Sequence, residues 1–326
     1  MYQNFTKFLE NKSHICIIQA ENPDGDSLGS ALALDYLLKD KEISLYCPVD
    51  IPKYLRYMED WSRVEDEFDY KADGYIIVDT AASVLLSKLL DDTAIKNCLY
   101  SKPVFVFDHH ETEDDLDFPH DKIIEPLPAC CSLIYKVALD QNMPVDKTCA
   151  KYLMAGIMSD TLGLTSQTVT AEIFDQMAGL SRLGAELWQI EESRREFMRK
   201  SQKILNYKAD LIKRVDYSLD GALATVHIPW EDIEEYSDEY NPGVLIIEEL
   251  RLVEGVHLAV AIKTYPDGKV TGKLRSDISI SDKVAGYFGG GGHPYAAGFR
   301  TYDTTYEEVV SELIKILPEL LSQENN

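Results

Sequence analysis

The fold is decided by the stretch HICIIQAENPDGDSLGSALALDYLLK, residues 14–39. Residues 14–20 form a mostly apolar run without strict alternation, which predicts a buried strand. Residues 27–39 are rich in Leu and Ala, which predicts a helix. The segment between them, PDGD at residues 23–26, has the composition of a turn followed by a helix N-cap. A strand, a turn and a helix in this order are typical of a layered α/β domain.

Two further apolar runs, GYIIVD at residues 74–79 and PVFVFD at residues 103–108, also stop at an aspartate. Continuous apolar runs of this kind are required in a parallel sheet that helices cover on both faces. From about residue 129 the pattern becomes helical, and residues 187–213 predict one long connecting helix.

The C-terminal part of the chain has a different pattern. It contains a strand pair around Asp220, a helix near residues 242–250, a hairpin turning at residues 266–268 and a final amphipathic helix. We therefore predict an α/β protein with an N-terminal parallel-sheet domain (residues 1–186), a helical linker (187–213) and a smaller α/β C-terminal domain (214–326).

The composition limits the classes of partner. The chain of 326 residues has a net charge of −24, from 32 Lys and Arg against 56 Asp and Glu. Such an acidic protein is not expected to bind long duplex nucleic acid or an anionic membrane through a broad basic face. The six cysteines form no CxxC pair, and no apolar run is long enough to span a bilayer. These features predict a cytoplasmic protein with reduced thiols, and they leave a homodimer open.

Acidic motifs follow each of the three predicted strands of the first domain. They are Asp24 with Asp26, then Asp79, and then Asp108-His109-His110. In an open α/β sheet, ligands bind beyond the carboxyl ends of the strands, so these side chains are expected to lie together. Their mutual repulsion would then require a cation, and carboxylate and imidazole ligands suit Mn²⁺ or Mg²⁺. Taken alone, each motif has an ordinary explanation as a turn or a helix cap.

Two motifs of the C-terminal domain predict an anion site. GGGGH, residues 289–293, would let backbone N–H groups approach a phosphate closely, and His293 could donate a further hydrogen bond. Arg275, followed by Ser276, would add a guanidinium suited to phosphate. The alternative is a flexible turn, although four consecutive glycines lose much conformational entropy on folding.

Together these motifs resemble those of the DHH-family phosphoesterases. The motifs are NPDGDSLGS (22–30), VDT (78–80), DHH (108–110), SDT (159–161), LRS (274–276) and GGGGHPYAAGF (289–299). The resemblance spans nearly the whole chain, and the last motif is specific to the DHH-associated C-terminal domain. Within the family the chain is most similar to the bifunctional oligoribonucleases (nanoRNases) and pAp phosphatases.

The resemblance implies two Mn²⁺ ions, with Mg²⁺ as the alternative, and assigns a role to each motif residue. The implied metal ligands are Asp24, Asp26, Asp79, His109 and Asp160. Asp79 would bridge both ions, and His110 would lie beside the scissile phosphate as a catalytic residue. The implied substrate-binding residues are Arg275, Ser276, Gly290, Gly291, Gly292 and His293.

One position departs from the family pattern. The first motif of the family opens with a histidine, as HxxPDxD, whereas this chain has Ala20 at that position. Glu21 is adjacent but points to the opposite face of an extended strand. The change leaves three explanations open: a tolerated, weaker first metal site, an engineered or natural change, or a catalytically degenerate protein that still binds nucleotide.

The expected function is therefore metal-dependent hydrolysis of short oligoribonucleotides, of 3′-phosphoadenosine 5′-phosphate (pAp), or of both, by a two-metal mechanism. The alternatives are a cyclic-dinucleotide or pApA phosphodiesterase, and a catalytically impaired nucleotide-binding protein. The acidic composition fits a short substrate, since a short substrate needs a pocket and not a basic track.

Overall fold

A computed structural model describes residues 2–110 and 113–324 of the chain, without the side chains of His293 and Glu324. The chain divides into two compact units, Met1–Arg199 and Lys200–Asn326. Each unit contains one six-stranded sheet with helices on both faces.

The sheet of the first unit is entirely parallel, as the apolar runs predict. Its strands are β1 (His14–Ile18), β2 (Glu42–Tyr46), β3 (Val64–Glu65), β4 (Gly74–Val78), β5 (Val104–Asp108) and β6 (Asp121–Ile124). The spatial order is β3-β2-β1-β4-β5-β6, so the chain changes direction of winding between β1 and β4. In sheets of this kind, the carboxyl ends of the strands at such a switch point form the binding crevice.

Helices cover both faces of this sheet and bury β4 and β5 completely. They are α1 (Gln3–Leu9), α2 (Gly25–Leu37), α3 (Ser87–Asp91), α4 (Thr93–Ser101), α5 (Cys130–Asp140), α6 (Lys147–Asp160), α7 (Ala171–Arg182) and α8 (Leu187–Phe197). The larger core packs α2, α5 and α6 against one face, and the smaller core packs α3 and α4 against the other.

Helices α2 and α6 approach each other through two glycines. A Cβ atom on Gly29 would lie 2.9 Å from the carbonyl oxygen of Tyr152 and 3.2 Å from the Cα atom of Gly156. A Cβ atom on Gly156 would lie 2.9 Å from Asp26 Oδ1 on α2 and 2.2 Å from the Sγ atom of Cys131 on α5. Since real Cβ atoms do not come so close to their neighbours, only glycine allows this spacing. The close approach brings the first turn of α2 next to the end of α6.

The segment predicted as one connecting helix contains two helices. Helix α8 ends at Phe197, and α9 (Gln202–Lys213) begins after the Ser201 hydroxyl accepts a hydrogen bond from the Ile204 N–H. This N-cap starts a new helix, because the Ile204 N–H bonds to the Ser201 hydroxyl and not to a carbonyl of a continuing helix. The division between the two units falls at this interruption, between Arg199 and Lys200.

The sheet of the second unit is mixed, with β8 and β9 parallel and the other pairs antiparallel. Its strands are β7 (Asp216–Ser218), β8 (Leu223–Ile228), β9 (Leu258–Thr264), β10 (Lys269–Ser276), β11 (Gly291–His293) and β12 (Ala296–Tyr302), in the order β11-β12-β10-β9-β8-β7. The helices are α9, α10 (Trp230–Tyr236) and α11 (Pro242–Arg251) on one face, and α12 (Ser281–Tyr287) and α13 (Tyr306–Glu324) on the other.

None of the helices in the described part of the chain combines the length and the apolar composition needed to cross a membrane.

Candidate metal centre

Four predicted metal ligands of the first unit meet at the carboxyl edge of its sheet. Asp26 is in the first turn of α2, Asp79 follows β4, His109 follows β5, and Asp160 is the last residue of α6. The Nε2 atom of His109 lies 3.2 Å from Asp79 Oδ1, 3.3 Å from Asp160 Oδ2 and 3.8 Å from Asp26 Oδ2. We call these four side chains the His109 cluster.

The donors form two groups that share His109, Asp26-His109-Asp160 and Asp79-His109-His110, and the atoms of each group are close enough together to surround one divalent ion. Ligand atoms about 2.1 Å from an octahedral ion are separated from each other by about 3.0 Å. Both His109 Nε2 and Asp79 Oδ1 are buried without a hydrogen-bond partner, which is costly for polar atoms unless a proton on Nε2 or a bound cation completes the site. Oxygen and imidazole ligands without a thiolate suit Mn²⁺ or Mg²⁺. The His109 cluster therefore fits a divalent ion.

The orientation of His109 is fixed by the backbone. Its Nδ1–H donates to the Leu127 carbonyl at 2.8 Å, so the tautomer leaves Nε2 to face the carboxylates. Burial alone would lower the pKa of His109, but the carboxylates of Asp160 and Asp79 raise it to about 12. The field of the cluster thus strongly favours a positive charge at the Nε2 position.

Asp26 is held by the start of helix α5. Its carboxylate accepts hydrogen bonds from the backbone N–H groups of Cys130 and Cys131, and the side chain is fully buried. The N-terminus of a helix carries partial positive charge and is a natural partner for a carboxylate. Burial, followed by the nearby charge of Asp160, nevertheless raises the pKa of Asp26 to about 7. A bound cation would restore the ionised form.

Asp79 has a left-handed backbone conformation, with φ of 66°. Among residues other than glycine, aspartate and asparagine adopt this conformation most readily. The turn directs the chain away from the sheet directly after β4, and burial together with the charge of Asp26 raises the pKa of Asp79 well above its ordinary value.

His110 is oriented by Asp108, a residue to which the sequence analysis gave no role of its own. Asp108 is fully buried, and its Oδ1 atom accepts hydrogen bonds from the Nδ1–H of His110 at 2.7 Å and from the backbone N–H of His109 at 2.8 Å. The His110 side chain is 39% exposed, and its Nε2 atom is not used by the bond to Asp108. A ligand atom of His110 also lies within 4.8 Å of Asp79 and His109.

Asp24 caps a helix and is not among the residues of the His109 cluster. Its Oδ1 atom caps α2 by accepting the N–H groups of Asp26 and Ser27 at 3.0 and 2.9 Å. Among the described residues, the two groups able to surround an ion are Asp79-His109-His110 and Asp26-His109-Asp160, and Asp24 is in neither. Its assignment as a metal ligand stays a prediction, as do the roles of the other predicted site residues.

In the second unit, Arg275 and Ser276 are both already bonded within the protein. The Nε atom of Arg275 donates to Glu248 at 2.7 Å. Ser276 is buried, and its hydroxyl donates to the Ile278 carbonyl at 2.6 Å. The Arg275 guanidinium is thus paired with a carboxylate, and the Ser276 hydroxyl supports the turn after β10.

The glycine cluster has a structural explanation as well as the predicted one. A Cβ atom at Gly290 would lie 2.2 Å from the Gly298 carbonyl, and one at Gly292 would lie 2.6 Å from the Cα atom of Ala297. These two glycines are therefore required by the close pairing of β11 with β12. A Cβ atom at Gly291 would meet nothing within 4 Å. The backbone of His293 pairs with Ala296, but its side chain lies outside the described part of the structure.

The sheet of the second unit also has a basic face that the sequence analysis missed. Register pairs Arg275 with Ala259, Lys273 with Ala261 and Thr271 with both Lys263 and Arg300, so these side chains share the face covered by α9–α11. We call Lys263, Lys273, Arg275 and Arg300 the basic face. The alternation of Lys273 and Arg275 along β10 was the available signal.

The charges of the basic face act on one another. Burial and the charge of Lys273 lower the pKa of Lys263, and burial and the charge of Arg275 lower the pKa of Lys273. Arg300 and Gly290 line a shallow depression of about 450 Å³ beside this face. A local positive surface of this kind in a chain with net charge −24 is suited to a small anion.

Two family models match the chain in the order of its two units. Residues 14–157 match the N-terminal domain of the DHH family, and residues 231–323 match the DHHA1 domain. The chain carries a DHH domain followed by a DHHA1 domain. The His109 cluster is in the first unit, which contains the DHH domain, and the basic face is in the DHHA1 domain.

Curated relatives cover most of the chain at low identity. The bifunctional oligoribonuclease and PAP phosphatase NrnA of Thermus thermophilus is 28% identical over 302 residues, which are 89% of this chain and 86% of the relative. A probable manganese-dependent inorganic pyrophosphatase of Streptococcus agalactiae is 24% identical over 258 residues, which are 74% of this chain and 79% of the relative. Both relatives are named as enzymes that act on phosphate compounds.

A solved structure confirms the fold. The crystal structure of an exopolyphosphatase-related protein from Bacteroides fragilis has a TM-score of 0.87 and is 21% identical, with 99% of this chain and 97% of that chain covered.

Proposed function

We propose that this DHH–DHHA1 protein is a divalent-metal-dependent phosphoesterase that hydrolyses short oligoribonucleotides, pAp, or both. The observation that carries the proposal is the His109 cluster, where oxygens of three carboxylates each lie 3.2–3.8 Å from the Nε2 atom of His109 at the carboxyl edge of the sheet. The named activity of the Thermus thermophilus relative supports the choice of substrate.

In this proposal Asp26, Asp79, His109 and Asp160 hold the ion, with Mn²⁺ preferred and Mg²⁺ as the alternative. A bound divalent ion supplies an acidified water and neutralises charge on a phosphate oxygen. The role of this chain's own residues is to fix those ligands and to handle protons. His110, oriented by the Asp108 carboxylate, would take a proton on its Nε2 atom from the attacking water and pass it to the departing oxygen.

The basic face is proposed to bind phosphate groups of the nucleotide. Lys263, Lys273 and Arg300 would act with Arg275, whose guanidinium can form paired hydrogen bonds with phosphate oxygens. A limited basic face in an otherwise acidic chain favours a short substrate over long duplex nucleic acid.

The test is a hydrolysis assay with Mn²⁺ or Mg²⁺. The substrates are pAp, a short 5′-phosphorylated RNA, pApA, a cyclic dinucleotide and pyrophosphate. We expect phosphate release from pAp, shortening of the RNA, or both, with loss of activity on chelation. Preferred turnover of the cyclic dinucleotide or pApA would assign the substrate to that class, and turnover of pyrophosphate alone would contradict the proposal.

A second candidate is a nucleotide-binding protein without turnover, and Ala20 is the observation that favours it. Alanine provides no ligand where the family motif has histidine. This candidate predicts that pAp binds in the presence of saturating Mn²⁺ and stays intact. Restoring the motif with Ala20→His would then produce hydrolysis if the remainder of the site is competent.

The basic face gives a separate prediction for binding. Lys273→Ala should weaken the binding of pAp about tenfold, or about 1.4 kcal/mol, because one charged donor is lost. Calorimetric titration with pAp in metal-free buffer measures this effect. In a separate measurement, the variant loaded with Mn²⁺ should bind as much Mn²⁺ as the parent chain. The matched control is Lys315→Ala on α13, which packs on the other face of the sheet. Equal weakening by both variants would indicate a general charge effect and contradict the proposed role.

A further inference from the structure

The side chains around Asp79 provide more metal ligands for one ion than for a second ion. The donors form two groups, Asp26-His109-Asp160 and Asp79-His109-His110, and both groups include His109. His109 can contribute to only one ion, because its Nδ1–H is bonded to the Leu127 carbonyl. A second ion bridged by Asp79 could therefore take only His110 from its group, and its remaining ligands would have to come from the first motif, where the family pattern supplies them.

The first motif offers few free donors in this chain. Asp24 uses Oδ1 to cap α2, which leaves its other carboxylate oxygen. Ala20 is buried, with 7% of its surface exposed, and provides no polar side-chain atom. The Glu21 carboxylate is bonded to the Ser87 hydroxyl at 2.9 Å and to the Lys88 backbone N–H at 3.0 Å. The residues present therefore do not fit a second ion as they fit the first.

We propose that the chain alone binds one divalent ion, at Asp26, Asp79, His109 and Asp160, and that Ala20 prevents a second ion from binding with comparable affinity. This proposal deepens the proposed function and rests on it only for the location of the centre. It differs from the two-ion arrangement that the family resemblance implies. An ion with few protein ligands binds weakly unless the oxygens of a phosphate ligand complete its coordination.

The strongest objection to this proposal comes from Gln19, the residue that precedes Ala20. Gln19 is fully buried, and neither atom of its amide has a hydrogen-bond partner. A neutral amide oxygen is nevertheless a weaker donor than an imidazole or a carboxylate for a divalent ion. Its contribution can be measured directly with Gln19→Leu, which removes the amide and keeps a similar volume.

The test counts bound Mn²⁺ without any substrate. Equilibrium dialysis followed by elemental analysis should give one tight ion per parent chain and two per Ala20→His chain. Electron paramagnetic resonance should show an isolated ion in the parent chain and an exchange-coupled pair in Ala20→His. Asp160→Asn should weaken the single ion at least tenfold. The smaller substitution Ala20→Asp serves the same purpose if histidine prevents folding.

Two tight ions in the parent chain would overturn the proposal, and loss of one of them in Gln19→Leu would identify the amide as the replacement ligand. An unchanged count of one in both folded variants at position 20 would show that Ala20 is not the limiting residue, and would also overturn it. Hydrolysis has no part in these measurements, so a failure of the proposed function would be recognised separately.

Discussion

The variant Asp79→Asn should lose hydrolytic activity by at least about 10³-fold, or about 4 kcal/mol of barrier, and should stay folded. Asp79 Oδ1 lies 3.2 Å from His109 Nε2 and has no hydrogen-bond partner, so its charge is available to an ion. Asparagine adopts the left-handed backbone of this position as readily as aspartate does. The measurement is the rate of pAp and RNA hydrolysis at saturating Mn²⁺.

The same variant should keep or raise the melting temperature of the metal-free protein. Burial and the Asp26 charge raise the pKa of Asp79, so ionising this carboxyl in the folded state opposes folding. Between the unfolded and folded pKa values the folded state binds more protons, and stability therefore falls as the pH rises. Asparagine removes this contribution. A clear fall in melting temperature would contradict the argument.

The control is Asp220→Asn, which makes the same substitution at another left-handed aspartate. Asp220 is exposed in the turn between β7 and β8, with φ of 53°. This variant should keep the parent activity and Mn²⁺ affinity. Near-parental hydrolysis by Asp79→Asn would exclude Asp79 as an essential ligand of the catalytic ion.

The second large effect is expected from Gly156→Ala at the contact between α2 and α6. The new methyl group would lie 2.2 Å from Cys131 Sγ and 2.9 Å from Asp26 Oδ1. Relieving such an overlap in a packed core costs about 3 kcal/mol. We expect a lower melting temperature for the first unit in calorimetry, and weaker Mn²⁺ binding, because the helices that carry Asp26 and Asp160 must separate.

Gly286→Ala is the matched control for this substitution. Gly286 lies in α12, and a Cβ atom there would meet nothing within 4 Å. Alanine is favoured over glycine in a helix, so this variant should be as stable as the parent or slightly more stable. If Gly156→Ala matched it, the spacing of α2 and α6 would not depend on glycine.

Much of the metal centre could be predicted from the sequence, because its residues follow strands that are easily recognised. The runs before Asp79 and His109 are continuously apolar, and the structure confirms both strands in a parallel sheet. The outer strands β2, β3 and β6 were not predicted. They are short or partly exposed, so they lack the apolar continuity that identified the central strands.

The supporting contacts could not be predicted, since they depend on backbone groups and on distances between helices. Nothing in the sequence indicated that the N–H groups of Cys130 and Cys131 would hold Asp26. The glycine motif was recognised in the sequence, but its cause was not. Gly290 and Gly292 match a phosphate-binding pattern, yet both are also required for the pairing of β11 with β12. A motif alone does not separate these two causes.

The hold on Asp26 has a consequence for how this protein can change over evolutionary time. The donors are main-chain N–H groups, which every amino acid except proline provides. Other residues can therefore replace Cys130 and Cys131 without loss of the hydrogen bonds to the Asp26 carboxylate, provided that the side chain beside Gly156 stays small. We therefore expect selection at these positions to act on size and on the exclusion of proline, so that an important contact of the metal centre would leave almost no trace in residue identity.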